Sequence, residues 1–263
     1  MEVTTEEKGA TAMTALIRSA AIRVGAIALA VAGVLFALYP AIRPFSDEAS
    51  LRGARAFAST AWIVAHVLAM GGFVALVLGV LGLHRLLSGT PLEYRSFGGL
   101  VLSWVGAGLT LTFYGAEAYG LHVIGREALR EHRAGVLALA SQVRHGPGIA
   151  MFAVGLVMLA VGVIVMAAAV WRSGILPRWS GVPIAVGFAL YLPQFAATQP
   201  VRVAHGLLIA SGCVWLRAVM WRHAKELPHL VTASRARIDG AITLPGYLQL
   251  DGVNRREVQL DKS

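Results

Sequence analysis

The sequence predicts an all-α fold, a polytopic membrane bundle of six transmembrane helices with an interfacial amphipathic helix between spans three and four. Three observations carry this expectation. Of 263 residues, 57% are hydrophobic and only 14% charged, where soluble domains carry about 25% charge, and the mean hydropathy is +0.67. The apolar residues gather in six runs of near-bilayer length, since about 20 apolar residues cross the hydrocarbon core. Between the runs lie short segments with arginines, the residues that anchor helix ends and set orientation. This balance excludes a water-soluble enzyme and a disordered chain. It also excludes a disulfide scaffold, because Cys213 is the single cysteine and has no partner within the chain. The net charge of +9 resides mostly in those short segments. No Lys/Arg cluster interleaves with aromatics, so no nucleic-acid partner is expected.

The first span is the apolar run 24–40, ending at Tyr39-Pro40. It follows an acidic start (Glu2, Glu6, Glu7) and no A-x-A-like site comes after it, so it reads as a retained helix rather than a signal peptide. The second span is 58–83, the third 97–124 and the fourth 148–171. The fifth, 180–198, is shorter, and only the Thr198-Gln199-Pro200 corner separates it from the sixth, 201–221. Five spans, with the last pair partly re-entrant, is the alternative count. Between spans three and four, Leu129, Val136, Ala140 and Val143 fall on one helical stripe, away from Arg126, Glu127, Arg130 and Arg133. That pattern suits an amphipathic helix that lies on the interface or caps the bundle. Residues 1–223 form the transmembrane domain. Residues 224–263 form a polar tail with β-like fragments over 241–250.

Orientation rests on loop charge. With the N-terminus inside, the inner segments hold ten Lys/Arg and the outer ones eight. This places the protein in the cell membrane with both termini cytoplasmic. Small residues recur every seven positions at Ala58, Ala65, Gly72 and Gly79, and again at Gly148, Gly155 and Gly162. Seven residues is two turns, so each set lines one helix face, where small side chains let helices approach closely in lipid.

Polar groups inside the spans are the informative ones, because lipid penalises them. Glu117 is the one carboxylate in an apolar interior. Ser103, Thr110, Tyr114 and Glu117 lie at i, i+7, i+11 and i+14, a single stripe that must face a cavity or partner helices. His66, His122, His145 and His205 fall in the same membrane half as Glu117, at depths of roughly 0–12 Å from the rise per residue. Gln194, Gln199 and Arg202 reach that level too. Asp47 and Glu48, beside Arg43, Arg52 and Arg55, read as a solvated charge group.

Three readings of this outer-half cluster stay open. In the first it is structural, with His66, Gln194 and His205 as interhelical hydrogen-bond partners and Glu117 neutralised by Arg144 or Arg202. In the second it binds a metal ion or haem. His66, His122, His145 and His205 are the candidate metal ligands, and His66 with His205 the candidate axial pair for haem. In the third it performs acid–base chemistry on an isoprenoid or other lipid-soluble substrate, with Glu117 and Tyr114 catalytic and Gln194, Arg202 and Arg144 contacting substrate. Transport or sensing, with Glu117 relaying protons, is a further alternative. No motif ties the chain to a named family or settles whether it is an enzyme. The expected partners are the lipid bilayer and a hydrophobic small molecule.

Overall fold

A computed structural model of the chain describes residues 5–242, with side-chain surroundings over 13–227. The fold class is as expected: a helical membrane bundle, with no strand among the described residues. The described residues form nine α-helices in order: α1 Thr5–Ile42, α2 Leu51–Phe57, α3 Thr60–Leu87, α4 Glu93–Gly115, α5 Leu121–Arg130, α6 Ala138–Arg144, α7 Pro147–Ser173, α8 Val182–Ala189 and α9 Gln199–Ile242. A π turn, Ala116–Gly120, joins α4 to α5 into one rod. Among the described residues, five stretches are long and apolar enough to cross a bilayer: Met13–Ile42, Thr60–Leu87, Glu93–Arg130, Pro147–Ser173 and Gln199–Leu227.

Helix ends follow local chemistry. Ser59 caps α3 by accepting the Trp62 N–H at 3.2 Å. Pro147 opens α7 in its first turn and Gly174 closes it in the left-handed region at φ +66°. At the far end, Arg18 of α1 donates to the carbonyls of Arg85, Leu86 and Ser88 at 3.1, 2.9 and 2.8 Å, satisfying the last turn of α3. That end of the bundle is called inner below, and the end holding residues 41–57 and 131–146 is called outer.

Contacts set the directions. α1 packs along both α3 and α9, and α4 along α7. Gly25 meets Gly82, and Gly72 meets Phe36, so α1 and α3 are antiparallel. Gly33 meets Ala210, and Ser19 donates to the Ala224 carbonyl at 2.7 Å, so α1 and α9 are antiparallel as well. Gly106 abuts Gly155 and Leu159 while Gly99 abuts Gly162 and Met166, which makes α4 and α7 antiparallel. A Cβ on Gly106 would lie 2.5 Å from the Leu159 nitrogen, so only glycine permits this crossing. Gly155 and Gly162 of the sequence stripe serve this contact. Gly148 does not, having nothing nearer than 3.7 Å to an added Cβ.

Pro40 does not end α1, which runs two residues further. A proline cannot donate to the carbonyl four residues back, here that of Phe36. Gly206 of α9 lies against that carbonyl and the proline ring, where an added Cβ would come within 2.5 Å of the oxygen.

The segment expected as the fifth span is broken. It comprises a 3₁₀ turn at Arg178–Gly181, α8, and a second 3₁₀ turn at Pro193–Ala196. Pro193 removes a donor from a continuing helix and disfavours helical backbone at Leu192. α7 and α9 both run from outer to inner end, so residues 174–198 return along the bundle in pieces. Gly212 against Ile184 and Gly187 against Ile209 hold them to α9.

The stripe Leu129, Val136, Ala140 and Val143 does pack on one side, against a small outer core that includes Ala54, Phe57, Trp62 and Leu121. It is divided among α5, a 3₁₀ turn at Ala134–Leu137 and α6, rather than forming one interfacial helix. α9 continues without a break past residue 223 to Ile242. The expected fragments over 241–250 lie largely outside the described residues.

Candidate functional site

The π turn positions the central carboxylate. A π turn inserts one residue into a helix and displaces the ladder, so a carbonyl needs another donor. Here the buried Trp62 indole N–H donates to the Glu117 backbone carbonyl at 2.9 Å. Gly115 and Gly120 flank the turn. The sequence stripe divides at this point. Ser103 and Thr110 are buried but turn back on their own helix, donating to the carbonyls of Gly99 and Gly106 at 2.8 Å each. Tyr114 and Glu117 face the interior of the outer end.

Glu117 is 8% exposed and takes both arms of the Arg144 guanidinium, Nε to Oε1 and Nη2 to Oε2. The third nitrogen of Arg144 donates to Glu48, and Arg43 donates to the other Glu48 oxygen at 3.0 Å. On the other side, the His66 Nε2 lies 3.6 Å from Glu117 Oε2. His66 Nδ1 is 2.7 Å from the Trp62 carbonyl. A carbonyl only accepts, so Nδ1 carries the proton of that bond. The result is one continuous chain, Arg43–Glu48–Arg144–Glu117–His66, linking the loop before α2, the last residue of α6, the π turn and α3. Arg144 lies outside the spans. Its burial alone would lower its pKa, but the carboxylates of Glu117 and Glu48 outweigh that and hold it above the usual arginine range.

Glu48 is the residue the sequence reading misplaced. It is not solvated beside Asp47 but turned inward, its side chain 27% exposed. Its backbone sits at φ +58°, which is uncommon outside glycine and asparagine. Asp47 does what a turn aspartate does. Its carboxylate accepts the Ser50 N–H, the Ser50 hydroxyl and the Ala49 N–H at 2.9, 2.9 and 3.0 Å, and these hydrogen bonds lower its pKa. Tyr39 and Arg43 of α1 and the following turn were also not singled out, although both line the site. Arg43 is 8% exposed and stacks over the Trp62 ring at 4.6 Å. No periodicity marks Arg43 and Glu48, because they approach from a loop.

Around this chain lies a cavity of about 310 Å³. Its polar wall is Tyr39, Arg43, Glu48, His66, Tyr114, Glu117, Arg144 and Arg202. Its apolar wall is Phe113, Ile149, Phe152, Leu192 and Phe195. Ile149 and Leu192 are 40% and 41% exposed, so the apolar wall reaches the outside of the bundle between the start of α7 and the broken 190–196 segment. Arg202 donates to the carbonyls of Ala197 (2.9 Å) and Phe195 and forms no ion pair among the described residues.

Of the remaining expected site residues, Tyr114 stays on the cavity wall and the others lie elsewhere. Tyr114 shares a 3.1 Å hydroxyl contact with Tyr191. His122 Nδ1 meets the Phe57 carbonyl at 3.0 Å, and the exposed His145 meets the carbonyl of Ser141. His205 Nε2 meets the Gly187 carbonyl at 2.7 Å, an interhelical bond of the kind expected in the structural reading. Gln194 is buried beside Arg202 and His205 along a crevice of about 10 Å³, too narrow for a substrate. The metal and haem readings find no support in this arrangement. Among the described residues no three His, Cys, Asp or Glu side chains converge. Between His66 and His205 stand the rings of Tyr114 and Tyr191, centred 5.9 Å from the first histidine and 5.4 Å from the second, respectively. The space a haem would need is filled. The inner half also holds a buried histidine, His84 of α3, whose Nδ1 is 2.9 Å from the Ser96 hydroxyl.

Compared with protein-family models, with curated proteins and with solved structures, the chain matches none.

Proposed function

We propose that this membrane protein holds one amphiphilic small molecule at the outer end of its bundle. The polar part would lie against Tyr39, Arg202 and the Arg43–Glu48–Arg144–Glu117–His66 chain, and the apolar part against Phe113, Phe152 and Phe195. The observation that carries this reading is the joining of a buried ionic chain to an apolar wall that reaches the lipid-facing surface at Ile149 and Leu192. Binding sites are concave and mostly apolar with a few convergent polar groups, and 310 Å³ lies at the lower edge of their usual range. A ligand of this kind would arrive sideways from the bilayer. In the cell membrane with both termini cytoplasmic, as the loop arginines favour, it would come from the outer leaflet. Six crossings, the sixth being the broken 174–198 segment, are part of this proposal. They place residues 89, 176 and 225 on one side of the membrane and 135 and 198 on the other, and cysteine labelling at 176 and 198 reads the sixth crossing directly.

Native mass spectrometry of the full chain released from its membranes tests the reading. One adduct of lipid-like mass per chain is expected, and Ile149→Trp, which fills the mouth, should remove it while the bundle stays folded. Absence of any adduct from the unaltered chain, or its persistence in Ile149→Trp, would count against the cavity.

A second reading, acid–base conversion of the bound molecule, is favoured by one observation: His66 lies 3.6 Å from Glu117, with Tyr114 beside them. Against it, Arg144 occupies both carboxylate oxygens, so Glu117 must release one before it can handle a proton. If conversion occurs, the molecule recovered from Glu117→Gln should differ from that of the unaltered chain. An identical adduct would leave binding as the function.

A further inference from the structure

We infer that the molecule held in the outer cavity is an anionic amphiphile, with its carboxylate or phosphate at Arg202 and its chain leaving between Ile149 and Leu192. This rests on the cavity reading above and adds the chemistry of the head group.

The charges of the site point to it. Three arginines and two glutamates line the cavity. Both glutamates are already engaged: Glu48 takes Arg43 and Arg144, and Glu117 takes Arg144. Arg202 is left without a carboxylate among the described residues. The carbonyls of Ala197 and Phe195 satisfy two of its donors but not its charge, and its Nη1 meets no acceptor among the described residues. A partly buried cation calls for a counter-charge.

Two features of the surroundings add to the positive field at Arg202. The Phe45 ring lies between two cations, with the Arg43 and Arg202 guanidinium carbons 5.1 and 5.0 Å from its centre. Arg202 sits in the first turn of α9, where the helix dipole is positive and a cation is unfavourable. Across the cavity, α7 begins without a side-chain cap, and Ile149 of its first turn forms the rim. Two helix starts and an arginine without a carboxylate partner among the described residues thus face one cavity, whose two glutamates are already engaged by Arg43 and Arg144.

The apolar wall distinguishes an amphiphile from a free ion. Phe152, Phe195 and Leu192 line the path from Arg202 to the bundle surface. A free inorganic anion would leave that path empty, whereas a hydrocarbon chain continues along it into the bilayer.

The test uses the full chain in zwitterionic phosphatidylcholine nanodiscs and competition against a pyrene-labelled dodecanoate. The competitors are dodecanoate, dodecyl phosphate, dodecanol and dodecyltrimethylammonium. The two anions should compete about tenfold more tightly than dodecanol, the range of one charge-assisted hydrogen bond, and the cation least well. Whether carboxylate or phosphate is preferred separates a fatty-acid source from a phospholipid-like one. Arg202→Met should reduce the anions to the level of dodecanol, and Arg202→Lys should keep most of the preference. If Arg202→Met does not fold, the competitor series on the unaltered chain still decides. Equal competition by dodecanol and dodecanoate would overturn the anionic assignment and leave the cavity reading standing. An undiminished preference in a folded Arg202→Met would overturn the role of Arg202. No saturable competition by any of the four would overturn the cavity reading itself.

Discussion

Two hollows of nearly equal size open on this bundle, and they differ in everything but volume. The outer cavity measures about 310 Å³, and the groove between α3 and α4, lined by Val74, Leu78, Trp104, Gly108 and Leu111, about 340 Å³. The groove presents apolar side chains that meet acyl chains wherever they come from. Nothing in it orients a ligand. The outer cavity joins four elements through one ionic chain and leaves one arginine without a carboxylate partner among the described residues. Size therefore says little in a membrane protein, where lipid fills any apolar recess. Convergent charge marks the site, because the bilayer will not accept it unpaired.

The sharpest way to break this comparison is to remove a charge from the cavity. Arg144→Met leaves Glu117 buried without its cation, and breaking a buried pair costs about 3–5 kcal/mol. The Arg144 side chain is 25% exposed, which places the loss toward the lower end. Denaturant unfolding in mixed micelles measures it. Adding Glu117→Leu should recover part of the loss, since no lone charge then remains. A loss below about 1 kcal/mol would reduce the pair to an ordinary surface bridge.

The next effect concerns the π turn. Trp62→Phe keeps the ring but removes the donor to the Glu117 carbonyl, and an unsatisfied buried carbonyl costs about 1–3 kcal/mol. Amide exchange at residues 117–121 should rise with it. An unchanged stability would mean that the turn does not depend on the indole.

Two glycines on α4 then compare packed and open faces directly. Gly106→Ala drives a Cβ into α7 and should cost about 1–3 kcal/mol, as overpacking does. Gly108, which lines the groove, has nothing within 4 Å of an added Cβ. Gly108→Ala should therefore be neutral or gain up to about 1 kcal/mol from helix propensity. Equal effects at both positions would contradict the α4–α7 crossing. The smallest effect is expected at Ser103→Ala, within about 1 kcal/mol and without effect on binding, because its hydroxyl serves only its own helix.

That last residue shows how far a sequence reading reaches. Hydropathy revealed the bundle, and the cost of a carboxylate in lipid singled out Glu117 with Arg144 as a partner. The same stripe had to face a cavity or partner helices, and it does both: Ser103 and Thr110 lie against Gly162 and Gly155 of α7, while Tyr114 and Glu117 line the cavity. Arg43 and Glu48 read as a solvated charge group because they come from a loop, where no period relates spacing to facing. Four histidines at one depth suggested a shared centre. Depth does not fix azimuth, and each turns to a backbone carbonyl on a different part of the bundle. The π turn left only Gly115 and Gly120 as a trace, since the indole that donates to its Glu117 carbonyl lies 55 residues away in the chain.

The central claim is that the polar cavity, and not the larger apolar groove, selects a ligand. A diazirine-bearing fatty acid, photolysed with the full chain in nanodiscs and mapped by peptide mass spectrometry, tests it most directly. Adducts on residues 39–48, 113–117, 144–152 and 192–202 should saturate with concentration and disappear with excess unlabelled fatty acid. Adducts on 74–81 and 100–111 should rise linearly and resist competition. Saturable, competed labelling of the α3/α4 groove with only linear labelling of the outer cavity would contradict the account.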